Sequence, residues 1–347
     1  MGTKHGLYVH IPICLSKCSY CDFVSQPMSE YDADRYLDAL SLEIERRCNG
    51  EDIDTVFVGG GNPFALNPLQ LERILGILPK AQEFSVECNP ESLTKTKADI
   101  ILKVGVNRVS LGLQSNDDDI LKVVGRRHSY NDFLTAVKLL RERGLSNINA
   151  DIMLGLPNQT LDSVRETVAR LVDLGVEHIS AYSLKVEKGT PLYKSGYKPD
   201  EDLQADMYDS VCEALSKTNY NRYEVSNFAR LGYECKHNLK YWTLEPYIGC
   251  GVSAHSLVGN IRISNTPNLT KYLNGNIVDT QTQADTDTER IMLGLRLTSG
   301  IPLNLVTHKQ VQLDRLSKVN LITIKNNRVT IAKDKFYLSN AIIAELI

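Results

Sequence analysis

Short apolar runs alternate with amphipathic stretches from the start of the chain to about residue 184. The runs 7–11 (LYVHI), 55–58 (TVFV), 84–87 (FSVE), 108–113 (RVSLGL), 148–154 (INADIML) and 178–184 (HISAYSL) are short, rich in β-branched residues and followed by turn formers. That pattern predicts buried parallel strands. Between them the spacing predicts helices. One opens with Ser29 as N-cap and repeats apolar residues at Leu37, Leu40 and Ile44; another stops at Gly144; a third runs from a Thr160 cap to Gly175. Serial β-α units of this kind imply an α/β fold whose parallel sheet curves into a partial, TIM-like (β/α)6 barrel or a full one. After Phe228 the alternation breaks. Near the C-terminus, TERIMLGLRL, KQVQLDRLSKV and LSNAIIAELI read as helices, and LITIKNNRVTI as two strands joined at Asn326 and Asn327, whose amides tolerate positive φ. The expected division is a barrel domain over 1–230, a connecting segment over 231–284 and a small α+β domain over 285–347.

Composition adds limits. A chain of 347 residues with 42% hydrophobic and 23% charged side chains buries a substantial core and is not disordered. With 39 basic against 42 acidic residues the formal charge is −3, which gives no long-range field to gather nucleic acid or anionic lipid. No apolar segment is long enough for a signal peptide or a membrane span, so no direct membrane anchor and a cytoplasmic location are expected. In a reducing compartment the eight cysteines read as metal ligands or buried thiols, not disulfides. Whether the chain forms a homodimer stays open.

The polar exceptions fall at the strand ends. CLSKCSYC, with Cys14, Cys18 and Cys21, follows the first strand, GGGNP (59–63) the second, ECNP (87–90) the third and GLQS (112–115) the fourth; Asp151 lies in or near the end of the fifth. In a parallel barrel these clusters converge on the carboxyl-end face, where active sites are built. Three thiolates without a fourth leave an open coordination position, although the triplet alone also fits a Cys₃His zinc site using His10. Gly59, Gly60 and Gly61 allow close backbone approach of a ligand, or simply a tight turn.

CxxxCxYC after a first strand and GGGxP after a second resemble the radical S-adenosylmethionine (SAM) superfamily. The resemblance implies a [4Fe-4S] cluster held by Cys14, Cys18 and Cys21, with the amino and carboxylate groups of SAM on the unique iron, and reductive cleavage of SAM to methionine and a 5′-deoxyadenosyl radical. The ordered series RVSLGLQS, GRRH, DIMLGLP, HISAYSLKVEKGTPLY, YEVSNFA, CKHNLKYW and GCGVSAHS narrows the resemblance to the coproporphyrinogen III oxidase-like branch, and within it to the heme-chaperone (HemW) group. The catalytic dehydrogenase of that branch carries a further cysteine where this chain has Phe23, and an N-terminal extension for which the residues before Tyr8 leave no room; both departures favour the chaperone. Decarboxylation of coproporphyrinogen III by radical chemistry is the alternative, so enzymatic turnover stays open.

By resemblance, Tyr8, Gly60 and Glu87 contact the cluster-bound SAM, and Tyr20, Gly61, Asn62, Gln114, Arg126, Asp151 and Ala181 match positions that hold a second SAM in the dehydrogenase. Arg126 would fork onto a carboxylate and Asp151 would accept from ribose or ammonium donors; a structural salt bridge and a strand-end cap are the competing readings. Asn62 and Phe64 depart from the usual threonine and serine, which puts their side-chain contacts in question. HNLKYW (237–242) resembles the HNxxYW motif of heme-binding members and implies heme contact by His237, Asn238 and Tyr241, with Cys235 and His255 as competing ligands and Cys250 as a tight-turn residue. The C-terminal helices and hairpin resemble a winged-helix unit without a basic DNA-reading stripe. The partners implied are heme and heme-acceptor proteins.

Overall fold

The computed structural model describes residues 3–347. Strands β1 (Lys4–Ile11), β2 (Asp52–Gly60), β3 (Glu83–Cys88), β4 (Arg108–Gln114), β5 (Ile148–Leu154) and β6 (His178–Ser183) are the six expected from the apolar runs, each within a few residues of its expected limits. They pair in parallel in the order of the sequence. Helices return the chain between them. Ser29 caps the helix Glu30–Cys48 by accepting the Asp32 N–H, and that helix buries Leu37, Leu40 and Ile44. Thr160 and Ser163 form a capping box on the helix Leu161–Leu174, which ends on Gly175 at φ 73°. Gly144, at φ 83°, does not terminate its helix directly; the helix ends at Arg141 and a short turn leads to the glycine.

The sheet does not close on itself. Beyond β6 it continues antiparallel through β8 (Asn227–Arg230) to β7 (Tyr220–Arg222). On the other side β9 (Tyr247–Cys250) pairs with β1 in parallel, Gly6 opposite Tyr247, and β10 (His255–Val258), β11 (Ile261–Asn265) and β12 (Val278–Gln283) extend the sheet antiparallel. The result is a partial barrel within a 12-stranded sheet. The segment 231–284, which carries the HNxxYW motif, supplies four strands to that sheet and the helices Lys236–Thr243 and Leu269–Leu273. Cys250, read as a tight-turn residue, is the last residue of β9, and the turn falls on Gly251 at φ 107°.

The C-terminal region contains the helices Thr286–Gly294, Gln310–Lys318 and Ser339–Leu346 around a three-stranded sheet of β13 (Ile301–Pro302), β15 (Arg328–Ile331) and β14 (Ile322–Lys325). Asn326 and Asn327 sit at φ 51° and 59°, as a type I′ hairpin turn requires. This is the helix–strand–helix–hairpin order of a winged-helix unit. It docks on the barrel partly through Arg222, whose guanidinium lies 4.0 Å from the Phe336 ring centroid and donates to the Lys333 carbonyl.

Candidate functional site

The loop after β1 is closed by its own backbone: Cys14 N–H donates to Gln26 and Gln26 N–H to Pro12. His10 adds a side-chain tie, its Nε2–H donating to the Val24 carbonyl at 2.9 Å while Nδ1 accepts from the Tyr8 hydroxyl at 2.9 Å. Both ring nitrogens are therefore engaged, and His10 has no lone pair free for zinc. Burial also lowers its pKa. The three thiols are half-buried and open onto one cavity of about 570 Å³. Burial pushes the Cys14 and Cys21 thiols above their usual range. Among the described residues, no group of three or more His, Cys, Asp or Glu side chains converges as ligands of a single ion would. Three thiols presented from one closed loop to a large cavity fit a multi-iron cluster.

The glycine run makes this approach possible. A Cβ on Gly61 would lie 2.6 Å from the Ile13 carbonyl and 2.9 Å from the Cys14 sulfur; on Gly59 it would lie 2.6 Å from Glu87. The space expected for a ligand is thus taken largely by the thiol loop and by Glu87, with Gly60 and Gly61 still lining the cavity. Asn62 turns inward. Its amide donates to Ser92 and its oxygen accepts from the Phe64 and Asn89 N–H groups, which uses up its side chain as a turn cap away from the cavity.

Tyr8, Tyr20, Glu87, Gln114, Arg126 and Asp151 all face the cavity. Glu87 accepts the Gly60 N–H at 3.1 Å, and its carboxyl is raised to about 7, first by burial and then by the nearby Asp151 charge. Asp151 accepts from Ser110 Oγ at 2.9 Å and Asn149 Nδ2 at 2.8 Å, and burial raises it as well. Arg126 is an anchor: it donates to the Gly112 carbonyl at 2.7 Å and Asn89 at 3.0 Å, with Cys18 Sγ at 3.6 Å. Its structural role, the competing reading, is the one its hydrogen bonds occupy. Ala181 points its side chain into the core, because the inward positions of β6 are Ser180 and Tyr182.

The HNxxYW helix lies across the amino ends of β1–β3 and plugs the barrel there. Glu83, at the start of β3, accepts the N–H groups of Lys236 and His237, and Lys240 pairs with Asp54 at the start of β2. His237 is fully buried, hydrogen-bonded to Thr55 Oγ1 at 2.9 Å and to the Tyr241 hydroxyl at 2.8 Å, with Phe57 stacked on its ring. Burial, aided by Lys240 and Arg108, lowers its pKa to about 3. The structure does not bring His237 into the cavity; it orients Tyr241, which does line the cavity together with Asn238. Cys235 is buried against Glu83, and His255 lies exposed on β10, so neither reaches the site.

The inward faces of the strands carry residues that sequence reasoning missed. Arg108, Ser110 and Gly112 alternate along β4 with the buried Val109, Leu111 and Leu113, in line with the expected Gln114, and Asn149 and Ser180 occupy matching places on β5 and β6. The period of two was present in RVSLGLQ; it was obscured because the run was read as buried on both faces.

Three loop thiols at the carboxyl end of a parallel partial barrel define a radical SAM protein, and residues 8–171 match the Radical SAM superfamily. The heme chaperone HemW of Bacillus subtilis (strain 168) is 36% identical over 320 residues, covering 85% of this chain and 84% of its own. HemW of Escherichia coli (strain K12) is 34% identical over 293 residues, covering 80% and 77%. In fold, the chain is similar to coproporphyrinogen III oxidase (HemN) from Escherichia coli, with a TM-score of 0.87 and 22% identity over 99% of this chain and 90% of that one. Within the radical SAM class, this chain belongs to the HemW family.

Proposed function

We propose that this protein is a HemW-type heme chaperone that carries a [4Fe-4S] cluster on Cys14, Cys18 and Cys21, binds SAM beside it, and passes heme to acceptor proteins in the cytoplasm. The observation that carries the reading is the identity of about one-third to HemW-named proteins across most of the chain. The thiol loop over a cavity of about 570 Å³ supports it. Among the described residues, no helix is long and apolar enough to cross a membrane.

Bound there, the cluster and SAM would supply one-electron reducing chemistry. The chain's own residues divide the remaining work. Tyr8, Gly60 and Glu87 would hold SAM at the thiols; Tyr20, Gly61, Gln114 and Asp151 would line a second SAM position, with Arg126 fixing the loop and Asn62 and Ala181 contributing backbone alone. Asn238 and Tyr241, set by His237, form part of the floor. Phe23, exposed at the loop where the dehydrogenase has cysteine, weighs against the decarboxylase reading.

Anaerobically reconstituted protein is expected to bind heme with a defined Soret band and to transfer it to an apo-acceptor. With coproporphyrinogen III, SAM and a reductant, it is expected to form no protoporphyrinogen IX; multiple turnovers would replace the chaperone reading with the enzymatic one. A pH effect follows from Glu87. Below about 7 its carboxyl is protonated, and above that it is an anion that accepts from ligand ammonium or hydroxyl groups. SAM affinity is therefore expected to gain a component that grows between pH 6 and 8 and is absent in Glu87→Gln. Equal pH profiles for the two proteins by equilibrium dialysis would remove Glu87 from the ligand set.

A further inference from the structure

We propose that Arg108 anchors a carboxylate-binding subsite at the floor of the cavity, which receives the carboxylate of an organic ligand: a porphyrin propionate or the methionyl carboxylate of a SAM molecule not bound at the thiols. The proposal rests on the heme and SAM reading above and deepens it.

Arg108 opens β4, and its side chain lines the cavity although the residue is only 2% exposed. Its Nε is buried without a hydrogen-bond partner. No guanidinium nitrogen of Arg108 makes a hydrogen bond or ion pair among the described residues, whereas Arg126 in the same cavity is tied to Asn89 and Gly112. A guanidinium carries five N–H donors, and burying donors unsatisfied costs about 1–3 kcal/mol per group, more when charged. Such a group in a cavity wall is built to meet an acceptor.

The surrounding charges narrow the choice of acceptor. Burial opposes the Arg108 charge, but a guanidinium stays protonated in proteins, and the Glu83 and Asp151 carboxylates nearby favour its cation. Those carboxylates are committed elsewhere, Glu83 to the N–H groups of Lys236 and His237, and Asp151 to Ser110 and Asn149. They hold the charge in place without filling the donor fork. A planar fork matches a carboxylate through two parallel hydrogen bonds. Arg126, the other guanidinium in the cavity, has donors taken by Asn89 and Gly112, which leaves Arg108 as the guanidinium with free donors for a carboxylate.

Depth decides how the carboxylate arrives. Cys18 lies beside Arg126, which is bonded to Gly112, and Gly112 and Arg108 are four residues apart on β4, roughly 13 Å at about 3.3 Å per residue. A molecule seated at the thiols does not span that distance with its own carboxylate. The acceptor is either a flexible acid arm of a larger ligand or a second small molecule.

The test compares reconstituted wild type and Arg108→Met in binding four ligands: heme, heme dimethyl ester, SAM and decarboxylated SAM, with iron and sulfide content as the folding control. In one of the two pairs, wild type is expected to prefer the acid by ~10-fold or more, and Arg108→Met to lose that preference. The pair that responds names the source of the carboxylate. Unchanged acid preference in an Arg108→Met protein with full iron and sulfide overturns the proposal and leaves the chaperone reading standing. If that variant does not fold, wild type decides, because absence of an acid preference in both pairs overturns it. Wild type that binds neither heme nor SAM overturns the functional reading, and this proposal with it.

Discussion

Cys18→Ala protein, reconstituted anaerobically, is expected to hold iron and sulfide at background and to lose the brown absorbance of the wild type. The loop offers three thiols and nothing to replace one. His10 is locked between Tyr8 and Val24, and no other His, Cys, Asp or Glu joins the thiols as a ligand group among the described residues. Cys18 is also the thiol nearest Arg126, 3.6 Å from its guanidinium, so its sulfur is the one beside a fixed positive charge. Because the loop is held by Gln26, Pro12 and Val24 and not by its thiols, the variant is expected to fold as wild type does. Full iron and sulfide in this variant would show that the cluster is held by other residues.

Glu43→Ala is expected to lose about 3–5 kcal/mol of stability, the usual cost of removing one partner from a buried charged network. Glu43 sits on the helix Glu30–Cys48 with its side chain 1% exposed. Its carboxylate accepts the Gly251 N–H at 2.8 Å, the Asn265 amide at 2.7 Å and the Tyr272 hydroxyl at 2.6 Å, and pairs with Arg47 at 3.3 Å. One side chain thus fastens the first helix to the end of β9, to β11 and to the helix Leu269–Leu273. Truncation leaves at least the Gly251 N–H and the Tyr272 hydroxyl buried without an acceptor. Urea unfolding measures the loss directly. A Glu43→Ala midpoint corresponding to less than about 1 kcal/mol would mean that water or a shifted side chain replaces the carboxylate.

The parts of the fold that could be read in the sequence are those where local chemistry and tertiary environment agree. The run 148–154 is a strand with those limits because Ile148, Ala150, Ile152 and Leu154 enter the core while Asn149, Asp151 and Met153 face the cavity, and Thr160 and Gly175 mark their helix because caps act locally. Strands β9–β12 were not legible. Val278–Gln283 is exposed at every position, so it carries no hydrophobic alternation, and β9 becomes a strand only by pairing with β1. In the site, the cysteines, Glu87 and Asp151 stood out as polar groups at strand ends. Arg108 and Asn149 did not, since they lie near the strand starts. His237 was legible as a motif residue but not as a buried one, because what buries it is the packing of its helix against Thr55 and Phe57, far away in sequence.

The pairing of β1 with β9 has a consequence for how the protein is made. During synthesis the first strand emerges early, yet one of its edges has no partner until the chain has grown past Cys250. Over that interval an apolar strand with a bare row of backbone donors and acceptors is exposed, the kind of nascent surface that aggregates or recruits folding assistance. Truncated chains ending before that point inherit the same open edge, so insolubility among them would reflect an unfinished sheet before any loss of cofactor.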